Sequence, residues 1–344
     1  MYDWPMLQTC SSLEAARRLR NNRTSRWNSG WEIEPAEDTA WGRITKGPFF
    51  SPSVDPGFTV EPEDRIFAIG SCFAREVETH LRKLGFAVDS YAAPGTFGDY
   101  ETPNPRYPAS GFLNKYNPES IYQELQWALD PALHFPPEAL QEVQGGMWRD
   151  VMAFPAFGER PSDEMLEIHC RMTDVVRRIA KCRVVVVTLG LVEVFYDTET
   201  GLYANTTPHL TASPGRYEFG VLTYPEVMDA LARIHGVLSA YGHPDVRIVV
   251  TVSPVPLDAT FTNEDIVVAN TYSKSLLRQA AGEWAQANRN VHYFPSYEIV
   301  MNSSHSRAWF MDGRHVRPDM VAHIMQTFAD AYAARPPVTT AGVP

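Results

Sequence analysis

The sequence predicts an α/β fold built on a mostly parallel sheet with helices on both faces. Three observations carry this. Short runs rich in β-branched and aromatic residues (65–69, 184–189, 246–252, 291–294) are separated by helix-length segments, the alternation that yields a parallel sheet. The run Val184–Leu189 is apolar almost throughout, which suits a central strand covered on both faces. The first strand runs through Gly70-Ser71-Cys72 straight into a helix-like segment, and in such sheets ligands collect at the carboxyl ends of the strands.

Residues 1–60 read as an irregular lead-in packed on the core, with one helix at 12–20. Arg65–Ile69 is the first strand, and Phe73–Leu84 follows as a helix. Val77, Leu81 and Leu84 share one helical face, and Gly85 is a stop. Residues 86–90 read as a second strand. A loop with Gly95, Gly98, Pro103, Pro105 and Pro108 comes next. Asn117-Pro118 starts a helix by the cap-then-proline rule, with Ile121, Leu125 and Leu129 on one face. Residues 131–161 read as irregular and 162–181 as a helix leading into the strand 184–189. Residues 196–223 read as loop. Helices at 224–240, 266–287 and 318–333 flank the last two strands. The tail 336–344 reads as disordered, leaving 61–335 as the main domain.

Composition removes several function classes. The net charge is −11 and no Lys/Arg block is present, so nucleic-acid binding, which needs phosphate neutralisation, is not expected. No apolar run is long enough to span a bilayer, and the N-terminus lacks a basic region followed by an apolar stretch. The four cysteines, Cys10, Cys72, Cys170 and Cys182, are scattered. That spacing fits a reducing cytoplasm and argues against a disulfide framework or a structural zinc. The histidines form no metal-binding pattern, so no metal is expected.

The candidate chemistry starts at Ser71. A hydroxyl at a strand-to-helix turn faces the crevice, beside the free N–H groups and positive dipole end of the helix. Position alone favours the plainer reading, a helix cap, a very common role for serine. Asp312 and His315, in MDGRHVRP, form the chain's D-x-x-H and precede the last helix. That spacing lets the carboxylate hold one ring nitrogen while the other takes a serine proton. Cys72 is the rival nucleophile, since a helix N-terminus favours a thiolate. One residue further into the helix, it is expected to point into packing.

Several stretches carry a family resemblance. Gly70-Ser71-Cys72-Phe73-Ala74 resembles the signature that names the GSCFA family, of the SGNH/GDSL-type hydrolase superfamily. Tyr116-Asn117-Pro118, TLGLVEVFYD (188–197), SPVP (253–256), NTYSKSLLR (270–278) and FPSYEIVMNS (294–303) are similar to the same family. The resemblance implies a three-layer α/β/α sandwich with a flavodoxin-like, SGNH-type sheet. It implies Ser71 as nucleophile, with Asp312 and His315 as its partners. The superfamily's third block reads G-x-N-D, and its Asn helps form the oxyanion hole. Here Gly190-Leu191-Val192-Glu193 stands there, and Val192 has no side-chain donor. The hole would then use the Ser71 backbone N–H with a second donor, Asn114 or Asn117. Gly70, Cys72, Gly190 and Glu193 complete the expected oxyanion and substrate contacts. Arg75, Tyr297 and Glu298 are weighed as wall residues and read as structural.

The expected activity is a serine ester hydrolase or O-acyltransferase acting on an acylated carbohydrate or other small polar ester. No cofactor is expected, with an acyl donor such as acyl-CoA entering only if the enzyme is a transferase. The alternative is a non-catalytic glycan-binding module on the same scaffold. A dinucleotide-binding protein is disfavoured, because neither G-x-G-x-x-G nor a P-loop is present.

Overall fold

The computed structural model describes residues 10–28, 36–92, 96–97, 100, 109–153 and 157–334. The expected disordered tail and most of the loop at 95–108 lie outside these residues.

In chain order the elements are α1 (Ser12–Asn21), α2 (Ala40–Thr45), β1 (Arg65–Gly70), α3 (Cys72–Lys83), β2 (Ala87–Val88), α4 (Pro118–Leu129), β3 (Leu140–Gln144), β4 (Met147–Asp150), α5 (Ser162–Val176), β5 (Val184–Leu189), β6 (Glu193–Asp197), β7 (Leu202–Ala204), β8 (Tyr217–Val221), α6 (Tyr224–Tyr241), β9 (Arg247–Val252), α7 (Ile266–Ala287), β10 (Val291–Tyr293), α8 (Ser296–Met301), α9 (His305–Ala308) and α10 (Pro318–Tyr332). The central sheet has five parallel strands in the order β10-β9-β5-β1-β2. Helices flank it on both faces, so the α/β prediction holds.

The period-two geometry of strands explains how the core divides. Phe67 and Ile69 of β1, with Val185 and Val187 of β5, pack into one core with α4, α5, α6 and α7. Ile66 and Ala68, with Val184 and Val186, pack into a second core with α3 and α10. All six residues of β5 are buried, as its near-continuous apolar run requires. Phe49, Val54 and Phe58 of the lead-in lie against the second core, and Val60 bridges to Ala333.

Three elements depart from the sequence reading. The second strand shrinks to Ala87–Val88 at the sheet edge. Leu84, expected on the buried face of α3, is the helix C-cap and is 42% exposed. The segments read as irregular or loop contain strands: the hairpin β3–β4 and an antiparallel sheet of order β7-β6-β8. These small sheets bury little on one face, so their apolar pattern is weak in sequence.

Candidate functional site

The strand order reverses between β1 and β5, because the chain leaves β1 toward β2 and leaves β5 toward β9. A crevice at the carboxyl ends of these two strands is the expected consequence, and it holds Ser71 and Gly190. β1 pairs with β5 up to Gly70 opposite Thr188. Gly70 has φ of 128°, and a Cβ there would overlap the Thr188 carbonyl, so only glycine fits this close approach. Gly190 is equally constrained: a Cβ on it would strike the Tyr116 carbonyl and touch Ser71 Cβ.

Ser71 is the N-cap of α3 by position, yet its hydroxyl caps nothing. Oγ instead lies 3.3 Å from Thr188 Oγ1. Serine is favoured at an N-cap because its oxygen satisfies an orphan amide; this one is left for other use. The side chain is 2% exposed and faces a cleft of about 650 Å³. Cys72, Asn114, Gly190, Glu193, Ser253 and His315 are also on the walls.

The Asp312–His315 pair forms as the spacing predicts. His315 Nδ1 lies 2.6 Å from Asp312 Oδ2, which makes Nδ1 the donor, so that in the neutral ring the lone pair is on Nε2. Asp312 Oδ1 accepts the amides of Arg314 and His315 at 3.0 and 3.1 Å. The turn is closed by Gly313 at φ 64°. The bond from His315, then those amides, hold the Asp312 carboxyl well below its ordinary range. The segment is tied back by a bridge between Trp309 and Val316. Sequence-remote Ser71 and His315 thus share one cleft, although no hydrogen bond joins them.

The oxyanion expectations need correction. The Ser71 amide is not free: it donates to Thr188 O at 3.1 Å. Asn117 is also spent, and it does not line the cleft. Its Oδ1 accepts Ser120 N at 2.8 Å in a capping box, and its Nδ2 donates to Ala204 O at 3.0 Å. The asparagine is a cap because the helix behind it begins with proline and needs one. Val192 is fully buried, and its amide donates to Ser273 Oγ at 3.2 Å. Asn114 does line the cleft; its Nδ2 reaches Tyr116 Oη at 3.3 Å, and its Oδ1 has no partner. The Gly190 amide carries no hydrogen bond among those of the described residues.

Cys72, expected to turn into packing, lines the cleft beside Ser71. Burial pushes its thiol pKa up, against the pull of Arg314 and Lys274, so helix position does not make it a thiolate. Glu193 is a wall residue that holds the opposite loop: it accepts Thr260 Oγ1 at 2.6 Å and Phe261 N at 2.9 Å. Arg75 reaches the cleft but is engaged by Glu78 and Ala68 O. Glu298 is bound by Arg278 and Tyr293 and lines a different pocket, with Trp27 and Phe50.

The family model described as "GSCFA family" matches residues 65–328. The chain belongs to the GSCFA family. Comparison with curated proteins finds no match.

The GSCFA signature therefore sits at the β1–α3 turn, and the outlying similar stretches hold that turn's surroundings in place. In NTYSKSLLR, Asn270, Ser273 and Lys274 lie on one face of α7, at the three- and four-residue spacing of helical neighbours. Asn270 Oδ1 accepts Leu257 N at 3.2 Å, Ser273 accepts Val192 N, and Lys274 Nζ donates to Gly190 O at 2.6 Å. One helix face thus pins the loops after β5 and β9. Lys274 is 1% exposed, and burial drives its pKa down from 10.5 to about 7.

Asn205 plays the same part on the other wall. It accepts Tyr116 N at 2.7 Å and Ser120 Oγ at 3.0 Å, and donates to Asn114 O at 2.7 Å. Thr188, Asn205 and Lys274 were not singled out from sequence. The stretches containing Thr188 and Lys274 resemble the family, but nothing in the linear order says which loops their side chains reach. Among the described residues no His/Cys/Asp/Glu group could hold a metal ion, and no helix is long and apolar enough to cross a membrane.

Proposed function

We propose that this GSCFA chain is a serine ester hydrolase or O-acyltransferase on a three-layer, SGNH-type α/β/α scaffold. One observation carries the reading: a serine hydroxyl at a strand-to-helix turn, held only by a long bond to Thr188 and not spent on capping, shares a cleft with a carboxylate-held histidine whose other nitrogen has no partner among the described residues. In the reaction, Ser71 Oγ attacks the ester carbonyl as its proton passes to His315 Nε2. The tetrahedral intermediate collapses, the alcohol leaves with that proton, and an acyl-serine remains. Water or an acceptor hydroxyl then attacks the acyl-serine, His315 again taking the proton. These two outcomes separate hydrolase from transferase. Asp312 keeps the ring in the productive tautomer and stabilises its protonated form.

The negative charge on the carbonyl oxygen needs donors. The Gly190 amide, the Asn114 amide and the open first turn of α3 are the groups this reading assigns to it. The substrate is a small ester, a carbohydrate ester being one class the cleft would admit. Four free cysteines agree with work in a reducing compartment such as the cytoplasm.

The test is labelling by a fluorophosphonate probe. Wild type and Cys72→Ala are expected to label, and Ser71→Ala and His315→Ala to lose labelling by about a hundredfold or more. A folded wild type that does not label would reject the enzyme. It would favour a non-catalytic ligand-binding module, the reading that the occupied Ser71 amide otherwise supports.

A further inference from the structure

The cleft contains a cation that nothing among the described residues neutralises. Arg149, on β4 of the small hairpin, is half-buried and lines the same cleft as Ser71. Among the described arginines that are not mostly exposed, every other one lies within ion-pair distance of a carboxylate or bonds a backbone carbonyl. Arg183, Arg216, Arg233, Arg247 and Arg278, for instance, each pair with an acid. Arg149 has no such partner among the described residues. The acids that share the cleft do not serve it. Glu193 is bound to Thr260 and Phe261, Asp258 lies 3.3 Å from Arg314, and Glu76 sits exposed on α3 without pairing to it.

A partly desolvated guanidinium is normally paired, because lost hydration must be replaced by hydrogen bonds. Its five donors form a planar fork that fits a carboxylate or phosphate two-fold. The cleft also carries apolar side chains, Val194, Phe195 and Ala204, and neutral polar wall groups, Asn114, Asn205 and Thr206 among them, so none of these balances the guanidinium's charge. Arg314, also on the cleft, holds its Nε without a partner and pairs only with an exposed aspartate, a weak interaction in water.

We propose that Arg149 anchors an anionic group of the substrate, so that the ester bound here carries a carboxylate or phosphate away from the scissile bond. The assignment rests on reading the cleft as an ester site, but its anion-binding half stands apart from catalysis. A charged acyl half and a charged alcohol half share this chemistry, and matched esters separate them. The first pair is p-nitrophenyl butyrate and mono-p-nitrophenyl glutarate. The second is acetyl glycerol and acetyl glycerol phosphate.

For at least one pair, wild type is expected to favour the charged member in kcat/KM by about tenfold or more. Arg149→Ala should collapse that ratio toward unity, Arg149→Lys should keep part of it, and Arg149→Glu should reverse it. A charged-to-neutral ratio that is the same in wild type and Arg149→Ala overturns the proposal. If no ester is turned over, thermal unfolding with glutarate or glycerol phosphate decides. A rise in Tm in wild type that is lost in Arg149→Ala supports the anion site although the catalytic reading has failed. Equal shifts, or none with either anion, overturn it.

Discussion

Replacing Lys274 with methionine removes an ammonium group from beneath the cleft while nearly keeping its volume. In the native protein that group is buried on α7 and donates to Gly190 O at 2.6 Å. Burial lowers its pKa from 10.5 to about 7, so between those values the unfolded chain binds more protons than the folded one. Stability contributed by this lysine therefore rises with pH across that window and is lowest below pH 7. At about 1.4 kcal/mol per unit, the whole window is worth about 5 kcal/mol, and the stretch from about pH 7.5 to about pH 9 is worth about 2 kcal/mol. Urea unfolding of wild type and Lys274→Met at those two pH values reads the difference directly, since the other titrating groups are common to both. Wild type is expected to gain about 2 kcal/mol relative to the variant on raising the pH. Parallel stability curves would refute the buried-ammonium reasoning. The variant also frees the Gly190 loop, a loss of about 0.5–1.5 kcal/mol, since at these pH values the donor is mostly the neutral amine. Slower labelling of Ser71 should accompany it.

Two further outcomes follow from the geometry. Gly70→Ala places a Cβ against the Thr188 carbonyl at a φ of 128°, and should cost about 3 kcal/mol or more in denaturant unfolding; a cost under about 1 kcal/mol would show that the turn relaxes freely. Asp312→Asn keeps the loop's shape but removes the acceptor that holds His315 Nδ1. Probe labelling should fall by about 10²–10⁴-fold with little change in Tm, whereas an unchanged rate would remove Asp312 from the site.

Much of the architecture was legible in the linear order. The valine- and isoleucine-rich runs at 184–189 and 247–252 specify buried parallel strands, because a strand covered on both faces shows near-continuous apolar residues rather than alternation. The D-x-x-H turn was legible for a similar reason: its hydrogen bonds close within four residues. Short-range geometry of this kind depends on the backbone alone. The small antiparallel sheets were not legible, since strands such as Tyr217–Val221 stay largely uncovered and need little apolar patterning.

The contents of the cleft were decided by tertiary structure. Asn117 and Asn114 stand three residues apart, yet one caps a helix and the other faces Ser71. The Ser71 amide was lost to the carbonyl of Thr188, 117 residues away, through a strand pairing that no local pattern records. Lys274 reaches Gly190 across 84 residues, and Arg149 enters the cleft from a hairpin read as irregular chain. Sequence thus determined the sheet, the serine turn and the histidine turn, because neighbours along the chain set them. Which polar groups were left unpaired around them was decided only by folding, because satisfaction of a hydrogen-bonding group depends on every segment that packs against it.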